Sequence, residues 1–152
     1  MQLIALETTP YYHAISRCVR CAFLCGEDCL TGKNYEHRKV WVINRLCELS
    51  DVFAIDVCAY AVMFNHYRLV LRVDKVRAEN WSEAQVMDRR EKLFNLPLLN
   101  RGYQKGQSDT KAEALKARKI VATWRERLMD ISWFMRSLNE YPASQANAEK
   151  PV

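Results

Sequence analysis

The chain has 152 residues, 49% hydrophobic and 27% charged, which is typical of one globular domain and excludes a disordered or fibrous class. No apolar run is as long as a membrane-spanning helix, and the first ten residues lack the basic start of a secretory signal. We therefore expect a cytoplasmic protein whose six cysteines stay reduced; its net charge of +5 is compatible with nucleic acid but does not establish it.

The first third of the chain predicts a strand, a loop and a helix. Residues 11–20 (YYHAISRCVR) have the aromatic and β-branched content of a strand, and a glycine-containing loop follows. Asn34 can cap a helix over residues 35–52, with Glu36 in the first turn, where the helix dipole favours an acid. The apolar stripe of this helix is formed by Val42, Leu46, Leu49 and Phe53.

The next segment predicts a β-hairpin. Residues 54–63 have the apolar composition of an interior strand, and residues 66–73 alternate like a partner strand. Phe64 and Asn65 form the expected two-residue turn, because Asn65 tolerates the left-handed conformation that such a turn needs. The predicted cross-strand pairs are His66 with Met63, Arg68 with Ala61, and Arg72 with Val57.

Two further segments precede a long helical region. Ser82 can cap a helix that runs to about Leu93, and Pro97 closes it. Residues 100–110 contain two glycines and many small polar residues, so we expect a mobile loop there.

Between residues 111 and 140 the chain has neither glycine nor proline. Apolar residues recur three and four apart, which predicts one long amphipathic helix or two helices that meet without a breaker. Residues 111–136 carry seven basic and three acidic side chains, so the outer face is expected to be positive. Pro142 is expected to end this region, and residues 142–152 to form a disordered tail.

The order strand, helix, strand, strand, helix predicts an α+β fold in which helices cover one face of an antiparallel sheet. This arrangement resembles a ferredoxin-like unit that lacks its last strand. We expect a single domain over residues 1–147. Its sheet and first helix would occupy residues 11–74, and its helical region residues 75–141.

Four closely spaced cysteines are compatible with a metal site. Cys18, Cys21, Cys25 and Cys29 could supply the four thiolates that zinc or an iron–sulfur cluster requires. The first pair would straddle the end of a strand, and the segment lacks the glycine-turned knuckle of a zinc ribbon. Buried, apolar thiols are therefore the favoured interpretation, with a zinc module as an alternative.

His66 and Arg68 are two residues apart on a predicted strand, so both side chains project from one face. Two histidines at this spacing would hold a divalent cation, but an arginine stays protonated and offers only donors. An arginine can instead bind a phosphate with two hydrogen bonds. From the pattern alone, a solvated strand edge is the favoured interpretation. Tyr, His and Arg interleave in both strands, so a sheet that binds single strands by stacking and phosphate contacts is the alternative. The predicted DNA-binding residues are Arg17, Arg20, Arg68 and Arg72.

The stretch AYAVMFNHYRLVL, residues 59–71, resembles the signature hairpin of the single-tyrosine HUH transposases, in particular the REP-associated tyrosine transposases and related insertion-sequence enzymes. YYHAISRCVR is similar to the opening strand of that family, and NYEHRKVWVINRLCEL to its first helix. DISWFMRSLNEY resembles the helical region that follows the hairpin.

The resemblance implies a ferredoxin-like fold, usually dimeric, that cuts and rejoins single-stranded DNA at hairpin-flanked ends. In the family, two histidines and a further polar side chain hold Mg²⁺ or Mn²⁺, and a tyrosine on a late helix forms a 5′-phosphotyrosine. His66 matches the first metal histidine, whereas Arg68 stands at the second, and no segment like that of the nucleophile occurs in residues 141–152. The resemblance thus predicts a truncated, catalytically impaired relative that binds single-stranded or hairpin DNA.

The long apolar stripe also predicts a second class of function. A helix-mediated interaction protein without a DNA role would use such a stripe to bind a partner. Binding of single-stranded DNA distinguishes the two classes.

Overall fold

The computed structural model describes residues 9–17, 25–107 and 110–149. Within them the strands and helices are, in chain order, β1 (Tyr11–Arg17), α1 (Glu36–Val52), β2 (Ile55–Val62), β3 (His66–Val73), α2 (Lys75–Asn80), α3 (Glu83–Leu93), α4 (Leu98–Gln104), α5 (Lys111–Arg127) and α6 (Ile131–Ala148). The predicted α+β class is confirmed. None of the helices in these ranges has the length and apolar character needed to cross a lipid bilayer.

The three strands form one antiparallel sheet with the order β1-β3-β2. β1 and β2 each run antiparallel to β3, so they are parallel to one another, and α1 connects them along the chain. The chain therefore forms a β-α-β unit with β3 inserted between its two parallel strands. β3 is hydrogen-bonded on both sides, whereas β1 and β2 are the edges of the sheet in the described part of the chain.

Near its turn, the β2–β3 hairpin has the predicted register. The N–H of Met63 donates to the carbonyl of His66 at 2.8 Å, and Ala61 lies opposite Arg68. No non-glycine residue in the described ranges has a positive φ, so the predicted left-handed conformation of Asn65 was wrong. The two-residue turn closes here without a left-handed residue.

Further from the turn, a β-bulge changes the register. The pairing shifts by one residue between Val57 and Ala59, because an extra residue of β2 is accommodated there. As a result Arg72 faces Asp56, and the predicted pair of Arg72 with Val57 was wrong. The bulge thereby brings a carboxylate opposite an arginine.

One face of the sheet packs against the helices. The alternate residues of β3 that form this face are almost fully buried, namely Tyr67, Leu69, Leu71 and Val73. They belong to a single core to which α1, α3, α5 and α6 also contribute. The predicted stripe of α1 is part of this core, with Val42, Leu46, Leu49 and Phe53 all buried.

One predicted helix cap is confirmed and the other is shifted by one residue. The N-cap of α1 is Tyr35, which makes no side-chain capping hydrogen bond, so the predicted cap at Asn34 was wrong; the side-chain oxygen of Asn34 accepts the N–H of Glu36 at 2.8 Å from one residue before the cap. Ser82 and Gln85 form a reciprocal capping box at the start of α3, which ends at Leu93 as predicted.

Helix α4 lies where a mobile loop was predicted for residues 100–110, so that prediction was wrong for the residues of α4. Asn100 is fully buried, and its side-chain nitrogen donates to a carbonyl of α5 at 3.4 Å. The hydroxyl of Tyr103 donates to a carboxylate oxygen of Glu83 at 2.7 Å. These tertiary contacts outweigh the low helix propensity of a glycine-containing sequence.

The long helical pattern forms two helices, the second of the two predicted alternatives. The chain leaves the helical path after Arg127, and the side chain of Asp130 caps α6 by accepting the N–H groups of Ser132 and Trp133. Most of the apolar stripe is buried in the core of the molecule itself, including Ala117, Val121, Trp124, Leu128, Ile131 and Leu138.

Pro142 lies inside α6, which continues to Ala148, so the predicted helix end at Pro142 was wrong. The predicted disordered tail was also wrong as far as Glu149; the last three residues lie outside the described ranges. A proline inside a helix costs about 3 kcal/mol. Burial of Pro142 and packing of α6 against α1 offset that cost, and Arg38 of α1 binds the Glu149 carboxylate at 3.0 Å.

Candidate nucleic-acid interface

The face of the sheet opposite the core, which we call the open face, carries exposed or half-buried side chains. It consists of Tyr11, His13, Ile15 and Arg17 from β1, His66, Arg68, Val70 and Arg72 from β3, and Asp56, Ala59 and Ala61 from β2. The prediction that His66 and Arg68 project from one face is confirmed. The structure also brings Arg17 of the first strand to this face.

One end of the open face, which we call the basic end, is formed by Arg17, His66 and Arg68. Arg17 lies opposite His66, and Arg68 lies between Ile15 and Ala61. Both arginines are exposed, and neither forms an ion pair with any residue that the structure describes. An unpaired guanidinium retains all its donors, so this end can bind a phosphate through two parallel hydrogen bonds.

The other end, which we call the paired end, is neutralised by carboxylates. Arg72 Nη1 lies 3.1 Å from Asp56 Oδ2 and 3.6 Å from Asp74 Oδ2. The second oxygen of Asp56 binds Arg77 Nη1 at 2.9 Å. Arg72 was predicted to bind DNA; the structure places it on the open face but engages its guanidinium within the protein. An aspartate in an otherwise apolar strand was the sequence signal for this network.

Exposed apolar side chains lie among these charges. Tyr11 is 54% exposed, Ile15 is 53% exposed, and Val70 is also exposed beside them. Aromatic and apolar groups on a sheet offer surfaces on which nucleotide bases stack, and stacking tolerates any base sequence. The open face thus combines phosphate-binding and stacking groups.

His66 is the residue at the predicted metal position. Its Nδ1 lies 2.7 Å from the side-chain oxygen of Asn65, an arrangement that suits a hydrogen bond donated by Nδ1. In the described residues, no group of three or more His, Cys, Asp or Glu side chains could hold a metal ion. With the cation of Arg68 two residues away, the donor set does not suit Mg²⁺ or Mn²⁺.

A loop that the sequence reasoning did not connect with the site supports the hairpin turn. The Phe64 ring packs so closely on Gly26 that a Cβ at Gly26 would lie 3.2 Å from it, and Gly26 has φ +92°. The Cys25 thiol donates to the carbonyl of Met63 at 3.2 Å. Gly26 was the available signal, because only glycine fits this conformation without strain.

The cysteine prediction is only partly covered by the structure. Cys18 and Cys21 lie outside the described residues. Burial raises the pKa of the Cys25 thiol, and the charge of Glu36 raises it further, which keeps the thiol protonated. Cys25 is therefore a buried packing thiol, in agreement with the favoured interpretation, whereas Cys29 is exposed.

The positive outer face predicted for residues 111–136 is engaged within the molecule only in part. Arg125 donates to the carbonyl of Ala78 at 2.7 Å, and Arg118 donates to the hydroxyl of Tyr103 at 3.1 Å. The basic residues of α5 that remain exposed to solvent without an ion pair in the described residues are Lys111, Lys116 and Lys119. Arg20, the last of the predicted DNA-binding residues, lies outside the described ranges.

Comparison with known proteins gives no relative for this chain: no protein-family model matches it, and neither a curated protein nor a solved structure does.

Proposed function

We propose that the chain is a single-stranded DNA-binding domain related to the HUH transposases, and that its catalysis is impaired. One observation carries the proposal. The basic end presents Arg17, His66 and Arg68 together on an exposed sheet face, and the two arginines have no carboxylate partner in the described residues. Unneutralised cations beside exposed apolar groups match the chemistry of a single nucleic-acid strand.

The topology supports the relationship. A ferredoxin-like unit contains a β-α-β element whose two strands are separated by a third strand, and the order β1-β3-β2 has this form. The hairpin that carries the family resemblance is β2–β3, and it places His66 and Arg68 on the open face.

The mode of binding follows from the arrangement of groups. Phosphates of the strand would contact Arg17 and Arg68, while bases would stack against Tyr11 and the apolar residues beside it. A single strand fits a flat sheet surface of this kind because its bases are not already stacked in a duplex.

The impairment of catalysis depends on Arg68. In the family a second histidine at this position completes the metal site, and an arginine cannot donate a lone pair to a metal. Arg68 converts the position from a metal ligand into a phosphate contact.

The alternative of a helix-mediated interaction protein depended on the long apolar stripe. Trp124, Leu128 and Leu138 of that stripe are buried in the chain's own core. Internal packing accounts for the stripe, so the open face remains the stronger basis for a function.

Arg17→Gln and Arg68→Gln should each weaken binding of a fluorescent single-stranded oligonucleotide. Each variant removes one phosphate-binding cation, so the slope of log affinity against log salt should become shallower by about 0.7. Fluorescence anisotropy at several salt concentrations measures both quantities. Lys119→Gln removes the same charge from an exposed position on α5 and serves as the matched control.

The proposal fails if the folded wild type does not bind the oligonucleotide at low salt. It also fails if the two sheet variants bind no more weakly than Lys119→Gln. A loss of binding in the Lys119 variant alone would transfer the interface from the sheet to α5.

A further inference from the structure

The β2–β3 turn brings two apolar side chains to the basic end of the open face. The N–H of Met63 donates to the carbonyl of His66 at 2.8 Å, so these two residues lie opposite one another and share a face. Met63 is 40% exposed, and Phe64, which follows it in the turn, is 46% exposed. Since Arg17 lies opposite His66 on the other side of β3, an exposed aromatic ring borders the basic end.

Core packing does not account for a phenylalanine in this turn. Phe64 belongs neither to the buried core nor to the half-buried hydrophobic side chains that pack against it. Short hairpin turns favour Asn, Gly and Asp for their backbone conformations, and a half-exposed ring leaves apolar surface in water. An aromatic residue at this position therefore points to a role outside the core.

The ring of Phe64 is held in place by the loop that precedes α1. The N–H of Cys25 donates to the carbonyl of Phe64 at 3.3 Å, and the Cys25 thiol donates to the carbonyl of Met63 at 3.2 Å. One edge of the ring packs on Gly26, whose carbonyl accepts the N–H of Tyr35 at 2.8 Å. A ring that is fixed before binding loses little conformational entropy when a ligand stacks on it.

The charges beside the ring identify the chemistry of its ligand. Arg17 and Arg68 are exposed and form no ion pair in the described residues. A purely apolar partner would remove water from these guanidinium groups without pairing them, which costs free energy. A nucleotide brings a phosphate for the arginines and a flat base for the ring.

We propose that Phe64 is a base-stacking residue that holds the nucleobase next to the phosphates bound by Arg17 and Arg68. The inference rests on the function proposed above and deepens it, because it assigns a base contact at the turn. Tyr11 lies at the other end of the open face, opposite Arg72. A single strand would therefore run along β3, with an aromatic ring at each end of its path.

Two substitutions at Phe64 test the stacking. Phe64→Leu keeps an apolar side chain against Gly26 but removes the aromatic face, and should weaken binding of a short single-stranded oligonucleotide by roughly tenfold. Phe64→Tyr keeps the ring and should bind as the wild type does. Neither change alters a charge, so the slope of log affinity against log salt should stay at the wild-type value. Fluorescence anisotropy measures both quantities.

An oligonucleotide with abasic sites in place of its bases separates stacking from phosphate binding. The wild type should bind this strand more weakly than the normal one, and Phe64→Leu should weaken its binding no further. Leu98→Ala, which removes an apolar side chain that is 84% exposed on α4, is the matched control. It should leave binding of both strands unchanged.

The inference is overturned if Phe64→Leu, folded by circular dichroism, binds the normal strand as tightly as the wild type while Arg17→Gln and Arg68→Gln bind it more weakly. The proposed function would then stand without the stacking residue. An equal loss for the normal and the abasic strand also overturns it, since the ring would then act through the shape of the turn. If the wild type binds neither strand, the proposed function and this inference fail together. Phe64→Met, which also lacks a ring, takes the place of Phe64→Leu if the leucine variant does not fold.

Discussion

The two faces of β3 differ in how far their side chains are exposed to solvent. Tyr67, Leu69, Leu71 and Val73 are at most 4% exposed, whereas the residues between them carry charge or face solvent. Successive side chains of a strand point to opposite faces, so one short segment serves both the core and the open face. Substitutions on the core face should therefore lower the free energy of unfolding, whereas substitutions on the open face should leave it nearly unchanged.

A second difference lies within the open face. Arg72 and Arg68 lie on the same strand and the same face, yet Arg72 contacts two carboxylates and Arg68 contacts none in the described residues. The same side-chain charge therefore joins two strands at Arg72 and is exposed to solvent at Arg68. The position of Asp56, set by the bulge, accounts for the difference.

Substitution of two adjacent residues of β3 tests most directly which face of the strand packs in the core. Leu69→Ala should lower the free energy of unfolding by about 2–5 kcal/mol, because it leaves a cavity in the core. Val70→Ala, on the open face, should change it by about 0.5 kcal/mol or less. Urea denaturation of both variants measures the difference. Equal losses would contradict the assignment of the two faces.

The two ends of the open face can be compared through Asp56. Asp56→Asn removes the carboxylate that binds Arg72 and Arg77, and should cost about 1 kcal/mol of stability because the ion pairs are partly exposed. It should also raise affinity for single-stranded DNA, since Arg77 loses its carboxylate partner and Arg72 keeps only the 3.6 Å contact with Asp74. Denaturation and anisotropy measure the two effects.

Glu79→Gln is the control for that change, because it removes one carboxylate from the exposed pair with Lys75. It should leave DNA affinity nearly unchanged. If Asp56→Asn bound DNA no better than Glu79→Gln, neutralisation of arginines by Asp56 would not be what limits DNA binding at the paired end.

The smallest expected effect concerns the end of α6. Burial alone would raise the pKa of Glu149, but hydrogen bonds from His37 and Arg38 outweigh it, so the pKa lies below its ordinary value. The ion pairs therefore add stability above the ordinary carboxyl pKa of about 4.3. That contribution is lost as the pH falls through the lowered pKa of the folded state.

Glu149→Gln should accordingly lower the melting temperature slightly at neutral pH and not at pH values below the folded-state pKa. Thermal unfolding of both proteins across the acid range measures this difference. A difference that persisted unchanged in strong acid would show that the glutamate acts through packing and not through its charge.

The strands and α1 were predictable because their signals are local. Alternation over residues 66–73 and the stripe of α1 each determine which side chains face the core. α4 was missed because its stability comes from Asn100 and Tyr103, whose partners are distant in sequence. The predicted helix end at Pro142 was wrong for the same reason. The energetic cost of a proline inside α6 is offset by packing of α6 against α1, which is distant in sequence.

The candidate site was predictable in part. That His66 and Arg68 share a face follows from strand geometry alone. The engagement of Arg72 could not be derived, because it depends on a bulge that shifts Asp56 by one position.

The strand order has a consequence for how the chain folds. β2 and β3 are joined by a two-residue turn, whereas Tyr11 of β1 pairs with Arg72 of β3 across α1 and the whole of β2. Closing a long chain segment costs more entropy than closing a short one, which favours formation of the hairpin first and docking of β1 afterwards. In that order of assembly, the basic end would be complete only after β1 docks, because Arg17 lies on β1.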